Sequence, residues 1–371
     1  MRIHCSITAF TAATGCIDAS AQVGIIALGD LPGADTLSFA WGVSADGSVV
    51  GGDSTVEGPD AAPFRWTREE GMVRIPGIPG GSFYEVGGIS PSGEYFAGRY
   101  TRPGGGGALG FIWSEAMGMV SFGDLPGGRE DSTAIAVSDE GVAVGFSNVG
   151  ITPTGGRVAR AAKWTASGGI EALPFPTAAD ENSSTQSLDI LADGRIFMLA
   201  DSGRWLYSED TGFEFLEISE GPYRINSDGT FMAGNIDTPF EPIARRAAYW
   251  TPDTGEVLLE PYIDGTLYGT IAMSDDGSII VGSQVDVGFL LWFDQGAPVL
   301  FDDYAAQIGL DLDGWNIRSI TDISADGTTI VGSARRDEWE IGRIEAIVIT
   351  IPAPGTLALA PLALLAMRRR R

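Results

Sequence analysis

FAWGVSADGSVVGG, residues 39–52, is the stretch that decides the fold. Two runs of β-forming residues, 39–44 and 48–53, flank the pair Asp46-Gly47. An Asp-Gly pair between such runs is a hairpin signal, because glycine accepts positive φ with no Cβ penalty. The same element, a polar turn followed by an apolar run ending in Gly, recurs at 44–47, 90–93, 138–141, 191–194, 226–229, 274–277 and 324–327. The seven turn glycines are spaced 46, 48, 53, 35, 48 and 50 residues apart, a mean of 280/6 or about 47. That is the period of four-stranded propeller blades.

A second marker follows each of the first six turns: Trp66, Trp113, Trp164, Trp205, Trp250 and Trp292, each with a Gly four to seven residues later. These positions predict a second hairpin per unit and a large apolar side chain packed between blades. Unit one then reads as strands at 39–44, 48–53, 63–67 and 72–76. The seventh unit offers three strands, 318–324, 328–332 and 345–351, and lacks a fourth. At the other end GIIALGDL (24–31) matches the fourth-strand pattern of VSFGDL (120–125). The expectation is an all-β, seven-bladed β-propeller of four-stranded antiparallel blades over 22–351, closed by the N-terminal strand so that no sheet edge is left open. Unit four, with the 35-residue spacing, is either a full blade or a degenerate three-stranded one.

Composition narrows the chemistry. The 371 residues include 52 Gly, about twice the usual share, and 20 Pro, with 44% hydrophobic residues. This is too apolar for a disordered chain. The single His, His4, and the only cysteines, Cys5 and Cys16, lie in the first 16 residues. The propeller therefore has no Ser-His-Asp triad, Cys nucleophile, His or Cys zinc site or disulfide. A net charge of -26 repels phosphate backbones, so nucleic acid is excluded as a partner. No cofactor motif is present: 104–107 is Gly-rich but has no Lys and opens no helix. Asp311-Leu312-Asp313-Gly314 is similar to the start of a Ca²⁺ loop, yet the twelfth place is Asp322 rather than a bidentate Glu.

Both ends read as addresses. Residues 1–21 form an export signal, with Arg2, a Thr- and Ala-rich segment, and cleavage at Ala19-Ser20-Ala21 before Gln22. Lipoprotein processing at Cys16, after Ala13-Thr14-Gly15, is the rival reading. The tail 352–371 consists of Pro352-Ala353-Pro354-Gly355, an apolar run over 356–367 and the cluster Arg368, Arg369, Arg370, Arg371. Twelve residues of helix span about 18 Å, short of a roughly 30 Å hydrocarbon core. The tail predicts transient membrane contact rather than a permanent anchor.

This three-part tail resembles the PEP-CTERM sorting signal of exopolysaccharide-producing Gram-negative bacteria, although its motif is Pro-Ala-Pro-Gly. That resemblance implies processing by an exosortase-type enzyme and a secreted or cell-surface location. The units themselves resemble the HAF repeats of exported bacterial proteins, in LGDLPG (28–33), FAWGVSADGSVVGG (39–52), APFRWTREEGM (62–72), FGDLPGG (122–128) and GLDLDGWNIRSITDISADGTTIVG (309–332). The His-Ala-Phe signature is replaced by Ala62-Pro63-Phe64 and Leu109-Gly110-Phe111. What the resemblance implies is an extracellular or surface repeat protein whose family leaves its biochemical role largely undefined; with no catalytic motif in the sequence, the expectation is a non-catalytic binding or structural role, not an enzyme.

In a propeller, the links from second to third strand and from fourth to the next first strand share one rim, and here these are the long, variable ones. Variable loops on a rigid scaffold are where binding usually resides. Arg99, Arg102, Arg157, Arg160, Arg245, Arg246, Arg335 and Arg336 lie in or beside the second-to-third links. They are candidates to hold the carboxylate or sulfate groups of a polysaccharide, or a matrix protein. Acidic residues in the same loops favour ordinary solvated charge. The alternative function is a carboxylate-based glycan hydrolase or lyase, resting on the 49 Asp and Glu residues and the glycosidase need for a carboxyl pair about 5–9 Å apart.

Overall fold

The computed structural model describes residues 22–33, 37–56, 60–152, 155–176, 183–200, 203–219, 223–238, 244–262, 267–338 and 342–353. Ala19, Ala21, Pro354, Gly355, Arg368, Arg369, Arg370 and Arg371, and with them both processing signals, lie outside these residues. Pro352 and Ala353 follow the last strand.

Seven sheets of four antiparallel strands form the ring. Unit one supplies Ser38–Val43, Val49–Thr55, Ala61–Thr67 and Gly71–Arg74, close to the sequence reading. Unit four is a full blade, with strands Thr185–Ile190, Ile196–Ala200, Gly203–Ser208 and Gly212–Leu216. Its short spacing arises because only residues 201–202 separate its second and third strands. Blade seven contains Trp315–Ile323, Thr329–Arg336 and Glu345–Thr350, and its fourth strand is Gly24–Ala27. Gly24 pairs with Thr350 and Ala27 with Ile347. The Leu28 N–H then donates to the Ala346 carbonyl at 2.8 Å.

Each Ser-x-Asp-Gly turn is locked by its own side chains. In the first, the Gly47 N–H donates to the Ser44 carbonyl at 2.9 Å, and Asp46 Oδ1 accepts from the Ser44 hydroxyl at 2.8 Å and the Ser48 N–H at 2.9 Å. Gly47 sits at φ 72°, and a Cβ there would strike the Thr329 hydroxyl. Ser274-Asp276 and Ser324-Asp326 repeat the pattern. Burial pushes the Asp46 carboxyl up, but the hydrogen bonds from Ser48 and Ser44 outweigh it and hold the group below the ordinary carboxylate range.

The turns also hold one another. Ala45 N–H donates to the Pro91 carbonyl at 2.8 Å, Ser92 N–H to Asp139 at 2.8 Å, and Ala192 N–H to the Ser227 carbonyl at 2.9 Å. Ser227 donates its N–H and hydroxyl to Asp275, both at 2.7 Å, and Asp275 N–H reaches the Ala325 carbonyl at 3.0 Å. Asp326 N–H returns to the Ala45 carbonyl at 3.4 Å. Six of the seven neighbouring pairs of blades, all but blades three and four, are tied turn to turn along one rim by these bonds.

Except in blade four, the apolar run after the turn ends in Gly for a steric reason. Six inner strands carry a β-bulge, as between Ala40 and Gly42 or between Ile320 and Asp322. A bulge pushes backbone out of the ladder. A Cβ on Gly52 would strike the Phe39 carbonyl oxygen, and one on Gly332 the Ser319 carbonyl oxygen.

Between the blades lie seven apolar clusters. Trp66 packs with Val331 and Val348 of blade seven, Trp113 with Val49 of blade one, and Trp292 with Ala233 and Ala247 of blade five. Each of these indoles faces the preceding blade. Trp205 also packs against Val144 and Ala161 of blade three, but from a different register position. It pairs with Phe215, whereas Tyr207, paired with Ile196 and Phe213, occupies the place that Trp66 holds opposite Val50 and Met72. The one helix among the described residues, Phe301–Ile308, links blades six and seven and buries Phe301, Tyr304 and Ala305. No helix there is long and apolar enough to cross a membrane.

Two outcomes follow for stability. Deleting residues 22–31 removes a strand and the buried Leu28 and Leu31, a loss on the order of 5 kcal/mol by burial. The melting temperature should drop by roughly 10 °C or more, and an unchanged transition in calorimetry would contradict closure through this strand. Asp326→Ala removes three hydrogen bonds from one exposed turn and should cost about 1 kcal/mol in urea unfolding, while Asp326→Asn should recover part of it.

Candidate functional site

The inner strands of all seven blades surround a central cavity of about 470 Å³. One wall level is set by the residue two places before each turn: Gly42, Gly88, Ala136, Asp189, Arg224, Ala272 and Asp322. These positions are equivalent in register, each opposite the second strand of its own blade, as Gly42 opposite Gly51, Asp189 opposite Phe197 and Asp322 opposite Val331. Four blades contribute only Gly or Ala, which keeps the lumen open. Blades four, five and seven contribute Asp189, Arg224 and Asp322. The mouth is lined by the second residue of each turn, among them Ala45, Pro91, Asp139 and Ser227. The cavity therefore opens on the rim of the Asp-Gly turns.

The three charged groups differ in how far the fold satisfies them. Asp322 accepts from the Val43 N–H at 3.1 Å through Oδ2 and from its neighbour Ile323 N–H at 3.0 Å through Oδ1. Asp189 accepts from the Ile190 N–H at 2.8 Å. Burial pushes the Asp189 carboxyl up to about 6, the Ile190 N–H and Arg224 drawing it down and Asp322 pushing it further up. Burial likewise raises Asp322, against the pull of Arg224 and the two backbone donors. Arg224 is exposed to the cavity and makes no hydrogen bond or ion pair among the described residues. Two carboxylates and an unpaired guanidinium can together bind a ligand that offers hydrogen-bond donors and one anionic group.

Trp41, the bulge residue of blade one, adds an aromatic surface to the same wall. It is 41% exposed, stacks on Phe39 with centroids 5.9 Å apart, and donates its indole N–H to Asp53. Burial drives the Asp53 carboxyl up to about 7, opposed by the indole hydrogen bond and reinforced by Glu85. Glu85 in turn accepts from Arg99 at 2.6 Å.

None of the eight arginines singled out in the sequence lines this cavity. Three gather around the link between blades two and three: Arg102 pairs with Glu130, Arg157 with Asp131 at 2.7 Å, and Arg99 is drawn electrostatically to Asp131 as well as bonded to Glu85. Arg336 pairs with Glu338 at 3.0 Å and lies over Trp315, and Arg160 lies 3.6 Å from the Phe175 ring centroid. Arg335 carries a buried Nε with no hydrogen-bond partner. Arg245 and Arg246 are successive residues of one strand and so face opposite sides of it. Asp311 and Asp322 do not share a loop: Asp311 accepts from the Asp313 N–H, while Asp322 faces the lumen. No group of three or more His, Cys, Asp or Glu among the described residues is placed to hold a metal ion.

Sequence reasoning missed Asp189, Arg224 and Asp322, although a signal was present. Aligning the seven turns and reading two places back gives Gly, Gly, Ala, Asp, Arg, Ala, Asp. Against four small residues the three charges stand out.

No family model and no curated protein matches the chain. Solved structures do. An oligogalacturonate lyase from Vibrio parahaemolyticus is 13% identical with a TM-score of 0.55, covering 90% of this chain and 95% of that one. An oligogalacturonate lyase in complex with manganese is 15% identical with a TM-score of 0.52 and the same coverages, 90% and 95%. The β-propeller domain of Myceliophteria thermophila Cps50 is 12% identical, TM-score 0.50, over 86% of this chain and 100% of that one. Likeness at these identities shows the propeller fold alone.

Asp53 generates a pH test. Its pKa in the folded protein, about 7, lies above the ordinary value of 3.8, so between these limits the folded state holds a proton that the unfolded state has released. Stability from this group is present in acid and is lost as the pH rises toward 7. Asp53→Asn, which cannot ionise, should gain melting temperature relative to wild type between pH 5 and pH 8. A difference that stays constant over that range would show that Asp53 is not held neutral.

Proposed function

We propose that this chain is an exported protein of the surface or extracellular matrix of a Gram-negative-type bacterium, a non-catalytic binding propeller associated with exopolysaccharide. The HAF-like units and the tail with Pro352, Pro354 and the terminal arginines support export, processing by an exosortase-type enzyme and membrane contact through the termini only. The observation that carries the binding role is the central cavity, a concave site of ordinary ligand size with a charged level built by blades four, five and seven. Both oxygens of Asp322 are already engaged by backbone N–H groups, a setting that orients a carboxylate rather than frees it to shuttle protons.

Asp189 favours a second reading. A lumen carboxyl that titrates near 6 suits general acid catalysis, as a carboxylate-based glycan hydrolase or lyase requires. One experiment separates the two. The secreted chain is incubated with the producing organism's own extracellular polysaccharide, and both bound protein and shorter sugars are measured over time. Saturable binding with intact polymer is the expected result. Steady release of oligosaccharides that stops in Asp189→Asn would replace the binder by the enzyme.

A further inference from the structure

Three features of the molecule hold chemistry that the fold does not consume: the buried Asp53 beneath Trp41, the arginine group around Glu130 and Asp131, and the charged level of the cavity. The first is closed by its indole and the second is internally neutralised, as described above. At the cavity level the guanidinium of Arg224 makes no hydrogen bond or ion pair among the described residues, although its charge acts on Asp189 and Asp322, and these two carboxylates keep acceptor capacity toward the lumen.

We propose that the cavity is a binding site for the end of an acidic saccharide chain, with a sugar carboxylate on Arg224, sugar hydroxyls donating to Asp189 and Asp322, and a sugar ring against Trp41. This deepens the binding role proposed above and rests on it. The charge count at this level selects the ligand. Two carboxylates and one guanidinium sum to a single negative charge, so this level takes one sugar carboxylate, on Arg224, and repels any further one, while a purely cationic ligand brings like charge to Arg224. A ligand with one carboxylate and several hydroxyls meets all three groups with the right polarity: the guanidinium takes the carboxylate bidentately, and ionised Asp side chains accept only, so they need donors. The half-stacked indole, 41% exposed, supplies the flat apolar face on which a sugar ring can lie, and the Asp53 hydrogen bond fixes its orientation. Access from the Asp-Gly rim admits a chain end, because the turn residues of all seven blades narrow the approach.

The test uses the full secreted chain and two titrations, one with intact polysaccharide and one with a glucuronate-terminated disaccharide beside its neutral glucose counterpart. Calorimetry should show the acidic disaccharide bound at least tenfold more tightly than the neutral one. Arg224→Gln should remove that preference while leaving the neutral sugar unchanged, and Arg224→Lys should restore part of it. Trp41→Ala should weaken both sugars by a similar factor. Arg157→Gln, on the opposite rim, should change neither. Arg224 makes no hydrogen bond or ion pair among the described residues, so the melting transition of Arg224→Gln should be unaltered, and a lowered one would show that Arg224 serves the fold rather than the site. If the polysaccharide binds but the disaccharides do not, or Arg157→Gln costs as much as Arg224→Gln, the cavity assignment is wrong and the outer loops hold the polymer. If the acidic disaccharide binds through Arg224 and the polysaccharide does not, the cavity assignment stands and the matrix role falls.

Discussion

The pairing of Gly24–Ala27 with Glu345–Thr350 is the contact on which the rest of the molecule depends. Seven blades joined in a row would leave two unpaired sheet edges and two uncovered apolar faces. Joining the ends converts a linear stack into a ring in which every blade is flanked by two others, and only a ring has a central cavity. The join spans more than 300 residues of sequence, so its loop-closure entropy is repaid only when all seven interfaces are in place. The buried residues bear this out: the cluster with Leu28 and Leu31 draws on blades one and seven together.

Within the closed ring, the Ser-x-Asp-Gly turn performs two tasks. It reverses the chain at positive-φ glycines, and through its second residue it hydrogen-bonds to the next blade. The bulge just before it performs a third. It brings one equivalent residue of each bulged blade to a common level of the lumen wall, and the close backbone approach it creates admits only glycine opposite in most blades. Blade four departs at several of these places at once, with Leu191 at the turn, Met198 where Gly52 stands in blade one, and Tyr207 in the tryptophan place. It is also the blade that carries Asp189. Local departure from the repeat and a candidate ligand-binding side chain coincide there.

Much of this architecture was legible in the sequence because it is periodic. The turn glycines gave the blade count, and the match between 24–31 and 120–125 gave the closing strand. What escaped were features that break the period. Trp205 stands where the sequence pattern places the blade-four marker, but its Gly lies seven residues on rather than five, and that extra spacing is what moves it off the tryptophan position. The helix Phe301–Ile308 is too short to show a helical repeat against a β-rich background. The candidate site was missed for a related reason. Long loops and clustered arginines dominate the sequence signal although the structure largely pairs off their charges, whereas Asp189, Arg224 and Asp322 are single residues separated by tens of positions. Only the superposition of turns in three dimensions, or their alignment in one, puts them on a common level.

That level has a consequence for how such a protein can change. Each of its seven positions is held by backbone pairing within its own blade, so a substitution at one leaves the others in place. Four already hold Gly or Ala, at Gly42, Gly88, Ala136 and Ala272. The lumen behaves as a dial with seven settings on a fixed frame: its charge, polarity and width can be rewritten one residue at a time, and relatives sharing this ring could differ completely in what they hold while remaining identical in fold.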